Sequence, residues 1–318
     1  MKTVLFEYGE GVLPAELPDS AEIFVPGETV ADPPFLTDVV SATRESILNP
    51  VGMEPISKLV GPGSKVTISF PDRVKGGFQA NSHRKTSIPI LIEECLKAGV
   101  ARKDILLICS NGLHRKNTDA EILSLIGEAT YRQFMPSHQI INHDSEDWDN
   151  LVDLGFDEMG NHVILNRAVY ESDLAIMVGH ALGNPYGGYS GGYKMVTTGL
   201  THWRTISAHH IPAVMHKADF TPVSAHSEMR TRMDSIGQFM EAKTGRKFFM
   251  CDAVLDTSAR QIAVYAGYGA EMQPVSVTVL LIRVRRLRAV VRAVRDAVPV
   301  DVRIAGVAHP VPVGIRLV

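Results

Sequence analysis

Short apolar runs alternate with stretches of helical spacing along most of this chain. Val66 to Phe70 is a short β-prone run, and Ile105 to Cys109 is apolar at every position, as in a strand buried on both faces. Between them, Ser87 to Lys97 places Ile88, Leu91, Ile92, Cys95 and Leu96 at helical spacing and stops at Gly99. Thr118 to Ile126 predicts a second helix, opened by a capping box of Thr118 and Glu121. His138 to Asn142 and Leu174 to Val178 predict further strands, and 203–209 and 224–242 further helices. Upstream, Val4 to Phe6 and Ile23 to Val25 read as short strands, followed by a helix near 36–48. Downstream, Phe248 to Leu255 and Gln261 to Tyr265 flank Asp256-Thr257-Ser258 and predict a hairpin.

This alternation predicts an α/β fold: a mostly parallel sheet with helices on both faces, Rossmann-like in its first domain. The expected division is a first domain over 1–245 and the start of a second α/β domain over 246–318, incomplete, with an atypical tail after 274. That tail is rich in valine and arginine and holds neither lysine nor glutamate. In parallel sheets ligands sit beyond the carboxyl ends of the strands. Three expected strand ends carry polar, reactive side chains. They are Pro71-Asp72-Arg73, Ser110-Asn111-Gly112-Leu113-His114-Arg115, and Gly179-His180 with the glycine-rich run that ends at Lys194.

Composition adds little that changes this picture. Apolar content of 45% and charged content of 21% are ordinary for a globular protein. A net charge of −3 gives no electrostatic reason to expect nucleic acid as a partner. Cys95, Cys109 and Cys251 are widely spaced, which argues against a disulfide framework and a thiolate zinc site. A reducing compartment, the cytoplasm, is the expectation, with no membrane span and no membrane partner.

The glycine-rich run Gly187-Gly188-Tyr189-Ser190-Gly191-Gly192-Tyr193-Lys194 lets backbone N–H groups approach an anion. It is not a Walker A loop, because Met195 follows the lysine, and it is not a dinucleotide fingerprint. By itself it fits a solvated surface loop equally well. His114 and His180 suit general acid–base work, and two such histidines at neighbouring strand ends can face one substrate from opposite sides. A lone histidine is more often structural, and the same applies to His83, His209 and His210. Arg73 is a candidate carboxylate clamp, with a surface arginine as the alternative.

Taken in order, these residues resemble the nickel-pincer lactate racemase family. The resemblance covers roughly 65–255. It runs from Gly112-Leu113-His114-Arg115 with Thr118 and Glu121, through His143-Asp144, Leu154-Gly155, Gly160, Asn166-Arg167 and Asp173, to His180. It continues through Gly188 to Lys194, then Gly199, Thr205-Ile206 and His209-His210.

The resemblance implies a racemase or epimerase of a 2-hydroxy acid, acting by reversible hydride transfer. Its implied cofactor is a pyridinium-3-thioamide-5-thiocarboxylic acid mononucleotide with nickel, supplied by cofactor-synthesis enzymes. Lys194 falls on the family's tethering lysine, His210 on its nickel-binding histidine, and His114 and His180 on its two acid–base histidines. Arg73 falls on its substrate-holding arginine and Asp72 beside the acid that holds the cofactor ribose. Ser190, Gly191 and Gly192 are the expected phosphate cradle. The run Phe70-Pro71-Asp72-Arg73-Val74 departs from the family's Asp-x-Thr-Arg-Pro element, and an insert around Leu182 to Tyr186 lengthens the stretch before Lys194. Together with Lys75, His83 and Arg84, both point to a larger or more polar hydroxy acid than lactate, such as a sugar acid. The alternatives left open are an inactive or binding-only fragment of the same fold, and a nickel-independent phosphate-ester or acyl enzyme using the loop as an anion site.

Overall fold

The computed structural model describes residues 1–8, 11–23, 31–74, 82–181, 183–184, 186–217, 227–256, 260–269 and 303–304. The chain divides into two compact units, Met1–Asp32 with Arg283–Val318, and Pro33–Ile282. In the first unit β1 (Lys2–Tyr8) and β2 (Gly11–Leu17) form an antiparallel hairpin, and Arg303–Ile304 pairs antiparallel with β2. The strand expected at Ile23 to Val25 runs into residues outside those described, as does nearly all of the tail after 274.

The second unit holds β3 (Val66–Pro71), β4 (Ile105–Ser110), β5 (Ile140–Asn142), β6 (Leu151–Phe156), β7 (His162–Asn166) and β8 (Leu174–Ala181). Two short strands, β9 (Gly183–Asn184) and β10 (Gly188–Tyr189), lead to β11 (Phe249–Leu255) and β12 (Gln261–Tyr268). Six of these form one sheet in the order β12-β11-β8-β3-β4-β5. All neighbours run parallel except the β11–β12 hairpin at one edge. The expected α/β class is therefore observed. The boundary expected at 245/246 falls just before β11, a strand of this same sheet.

Why the strands read as continuous apolar runs is visible in the packing. Successive side chains alternate between two cores, one on each face. On β8, Leu174, Ile176 and Val178 enter one cluster, while Ala175 and Met177 enter the other. The first core is closed by helices Arg84–Lys97 and Asp119–Ile126, through Ile88, Leu91, Cys95, Ile122 and Leu125. The second is closed by helices Lys194–Gly199 and Glu228–Thr244, through Val196, Ile236 and Met240.

Some elements differ from the sequence expectation for identifiable reasons. Helix Arg84–Lys97 begins upstream of Ser87 and includes Pro89, which by itself disfavours a helix interior. The buried Arg84 guanidinium donates to the carbonyls of Pro71 (3.0 Å) and Asp72 (2.9 Å). His138 takes a left-handed conformation (φ 56°), so β5 starts only at Ile140. The hairpin β6–β7 was not expected; its sequence mixes Asp153, Gly155 and His162 into the apolar pattern.

The strand order places a topological switch between β3 and β8. From β3 the chain crosses to β4 and β5 on one side, and later to β8 and β11 on the other. Ladder pairing of β3 with β8 ends at Ser69 and Met177. Yet β3 continues with β4 to Pro71 and Ser110, and β8 continues with β11 to Ala181 and Val254. The two central strands splay apart at their carboxyl ends and open a crevice, the usual ligand position in open α/β sheets.

Candidate active site

A cavity occupies that crevice. Pro71 and Asp72 line it from the end of β3, Ser110 to His114 from the end of β4, and His180 from β8. Ser190, Gly191 and Lys194 line it from the glycine-rich loop, and His210 closes it with Ile206. Of the site residues expected from sequence, Asp72, His114, His180, Ser190, Gly191, Lys194 and His210 share this one cavity. Arg73 and Gly192 do not line it. Arg73 Nε instead approaches Glu121 at 3.4 Å, and Arg115 grips the same carboxylate at 2.5 Å. The Gly192 N–H donates to Asp252 Oδ2 at 2.9 Å, so it is not offered to the cavity.

Asp72 and His114 form a tight pair. His114 Nδ1 lies 2.6 Å from Asp72 Oδ2, with the Asp72 side chain 2% exposed and His114 45% exposed. A carboxylate accepts, so Nδ1 carries the proton, and in the neutral ring Nε2 keeps the lone pair. Asp72 is itself held by the backbone bond to Arg84. Its Oδ1 is buried with no partner among the described residues, and so is Asn111 Oδ1. Two unmet acceptors among the residues lining one cavity mark a place built to receive donors.

His180 differs from the expectation in one respect. Strand β8 extends through Ala181, so His180 sits within the strand and is 3% exposed. The fully buried His83 ring lies edge-on to it, with centroids 5.9 Å apart. Burial, with Arg84 next in effect, holds His83 well below the ordinary histidine range, so it stays neutral.

Lys194 is the first residue of helix Lys194–Gly199 and is 7% exposed, which removes the reading as a solvated surface lysine. His209 and His210 lie past the end of helix Trp203–Ser207. His209 is fully buried, and its Nδ1 contacts His210 Nδ1 at 2.7 Å. One of the two nitrogens must donate. His209 Nε2 faces the Thr197 carbonyl at 3.4 Å, which favours the proton on Nε2. His209 Nδ1 then accepts, His210 Nδ1 donates, and the neutral His210 ring keeps its lone pair on Nε2, the form that ligates a metal.

Among the described residues no three His, Cys, Asp or Glu side chains gather as a metal site. Among the described residues, a nickel ion at His210 would not find two further such ligands, which fits a site completed by a small molecule. The buried amine of Lys194 in the same cavity fits a tether for such a molecule. No helix among the described residues is long and apolar enough to cross a membrane. Sequence reasoning missed Asp252 and Arg230, buried charges that support the glycine-rich loop. Asp252 carries a signal, a charge inside the otherwise apolar strand β11, whereas Arg230 lies in a largely polar helix and carries none.

Known proteins share this fold. The family described as lactate racemase N-terminal domain matches residues 8–221. The lactate racemase of Lactiplantibacillus plantarum is 26% identical over 224 residues, 70% of this chain and 50% of that protein. The lactate racemase of Thermoanaerobacterium thermosaccharolyticum is 20% identical over 268 residues, 84% of this chain and 60% of that protein. The lactate racemase apoprotein structure from the latter organism superposes with a TM-score of 0.68 at 20% identity, covering 88% of this chain and 62% of that one. A Thermotoga maritima protein shares the fold at a TM-score of 0.51 and 18% identity, covering 70% of this chain and 55% of that one. The chain thus spans 50–60% of the length of the curated relatives it matches.

Proposed function

Since the chain belongs to the lactate racemase N-terminal domain family, we propose that it serves a racemase or epimerase of a 2-hydroxy acid using a lysine-tethered nickel-pincer nucleotide. The observation that carries this reading is the convergence of His114, His180, Lys194 and His210 on one cavity at the sheet's switch point.

In this reading Lys194 tethers the nucleotide and His210 supplies the protein's ligand to nickel. A soft imidazole and sulfur donor set suits that metal. When bound, the cofactor supplies the hydride-accepting centre that spares the reaction a carbanion beside a carboxylate. The chain's own residues do the rest. His114 or His180 takes the hydroxyl proton as the carbon centre is oxidised, and the other returns a proton to the product. Asp72 keeps the His114 proton on Nδ1, so that Nε2 is the working nitrogen. Ser190 and the Gly191 backbone are proposed to contact the nucleotide, and Asn111 Oδ1 accepts from a ligand hydroxyl. Arg73, which faces Glu121 at 3.4 Å and does not line the cavity, would reach a substrate carboxylate by turning toward it. The substrate class proposed is a 2-hydroxy acid larger or more polar than lactate.

The test is racemisation of a panel of 2-hydroxy acids in deuterated water, by protein produced with cofactor-synthesis enzymes and nickel. Inversion without deuterium at the carbon supports hydride transfer. Inversion with deuterium uptake, or no inversion of any acid, contradicts it.

A further inference from the structure

The glycine-rich loop that carries Lys194 is gripped from two sides by buried charges. Arg230, in the first turn of helix Glu228–Thr244, is fully buried. Its guanidinium donates to the carbonyls of Tyr189 and Gly191 and lies 3.9 Å from the centroid of the Tyr189 ring. Asp252, on β11, is 2% exposed and accepts the Gly192 N–H at 2.9 Å. The two side chains thus take successive polar groups of one short backbone segment, and their charges offset each other across it.

The surroundings are shaped to this grip. Gly179 pairs with Asp252 across the β8–β11 ladder, and a Cβ there would collide with Asp252 Oδ1. Gly191 has φ +94°, and its Cβ would come 2.8 Å from Asp252 Oδ2. Glycine at both positions lets a carboxylate sit directly under the loop. A run this rich in glycine has a large conformational entropy to lose on ordering. Fixed bonds from rigid elements offset that loss and leave Ser190, Gly191 and Lys194 lining the cavity.

We propose that Arg230 and Asp252 are positioning residues, a buried clamp that presets the 189–192 loop and with it Lys194. Neither contacts the reacting atoms; they act through the loop. The catalytic consequence rests on Lys194 being the cofactor tether, but the clamp can be tested without cofactor.

The experiment is amide hydrogen exchange and amine-reagent labelling of Lys194, both read by peptide mass spectrometry on the cofactor-free full chain. Asp252→Ala is expected to speed exchange at 190–193 by about tenfold or more, and to speed Lys194 labelling, while β3 and β4 stay within about twofold. Asp252→Asn keeps an acceptor for the Gly192 N–H and is expected to restore most of the protection. If Asp252→Ala does not fold, Arg230→Met, which removes both carbonyl donors, is judged by the same readings. Exchange that rises evenly across the chain, or stays unchanged in the loop, overturns the proposal. So does failure of Asp252→Asn to restore protection. A failed clamp would leave the tether reading standing, and an unmodified Lys194 after co-expression would leave the clamp standing.

Discussion

Asp72 Oδ2 and His114 Nδ1 are 2.6 Å apart, with a nearly buried carboxylate backing a half-exposed imidazole. This pair, at the ends of adjacent strands, gives His114 a fixed tautomer. Asp72→Asn keeps the volume but offers an amide N–H or carbonyl in place of a charge. It is expected to lower kcat by about tenfold or more and to shift the pH profile, with KM changed little. Steady-state kinetics across pH checks this; a parallel fall at all pH values would mean a structural role only.

His114→Ala and His180→Ala are each expected to lower racemisation about 10²–10⁴-fold in both directions, the usual weight of general acid–base catalysis. Nickel content should remain close to that of the parent, since neither residue is proposed as a ligand. Chiral chromatography and metal analysis on the same preparations check both halves. Near-normal rates in either variant would remove that histidine from the mechanism.

Asp252 supplies a pH signature. Burial pushes its carboxyl up to about 6 from 3.8, against the opposing effects of the Gly192 N–H and Arg230. The fold therefore favours the neutral form. Ionisation costs stability above about pH 6, and the cost fades as pH falls toward 3.8. Asp252→Asn lacks this titration. Between pH 7.5 and 4.5 the parent should gain on the variant by about 2 kcal/mol in urea unfolding. A difference that is flat with pH would contradict a buried, shifted carboxyl.

Gly237 offers a packing test beside the lysine. A Cβ there would collide with the buried Tyr193 ring, whose hydroxyl is tied to Glu241 at 2.8 Å. Alanine gains about 1 kcal/mol in helix propensity over glycine. Overpacking costs about 1–3 kcal/mol, and the tethered ring cannot move freely, so the cost should win. Gly237→Ala is expected to lower Tm by a few degrees in a thermal melt. A raised Tm would mean the ring gives way easily.

The sheet was legible because strands buried on both faces leave runs such as Ile105 to Cys109 with no polar gap. The capping box at Thr118 was legible because it is local. The cavity residues Asp72, His114, His180 and Lys194 were legible because strand ends are where such sheets place ligands. What escaped was non-local. The register end at Ser69 and Met177, which opens the crevice, follows from pairing of strands far apart in sequence. The ion pair of Arg73 with Glu121 and the Gly192–Asp252 bond likewise depend on partners brought together only by folding. A sequence could nominate Arg73 and Gly192 for the site, but not say that their polar groups are engaged elsewhere.

The proposed role of Lys194, a covalent tether for the nucleotide, makes a direct chemical prediction. Peptide mass spectrometry of protein co-expressed with cofactor-synthesis enzymes tests it most directly, with nickel measured on the same sample. A nucleotide-sized adduct on Lys194 is expected, accompanied by nickel and abolished by Lys194→Ala. An unmodified Lys194 with no bound nickel would contradict it.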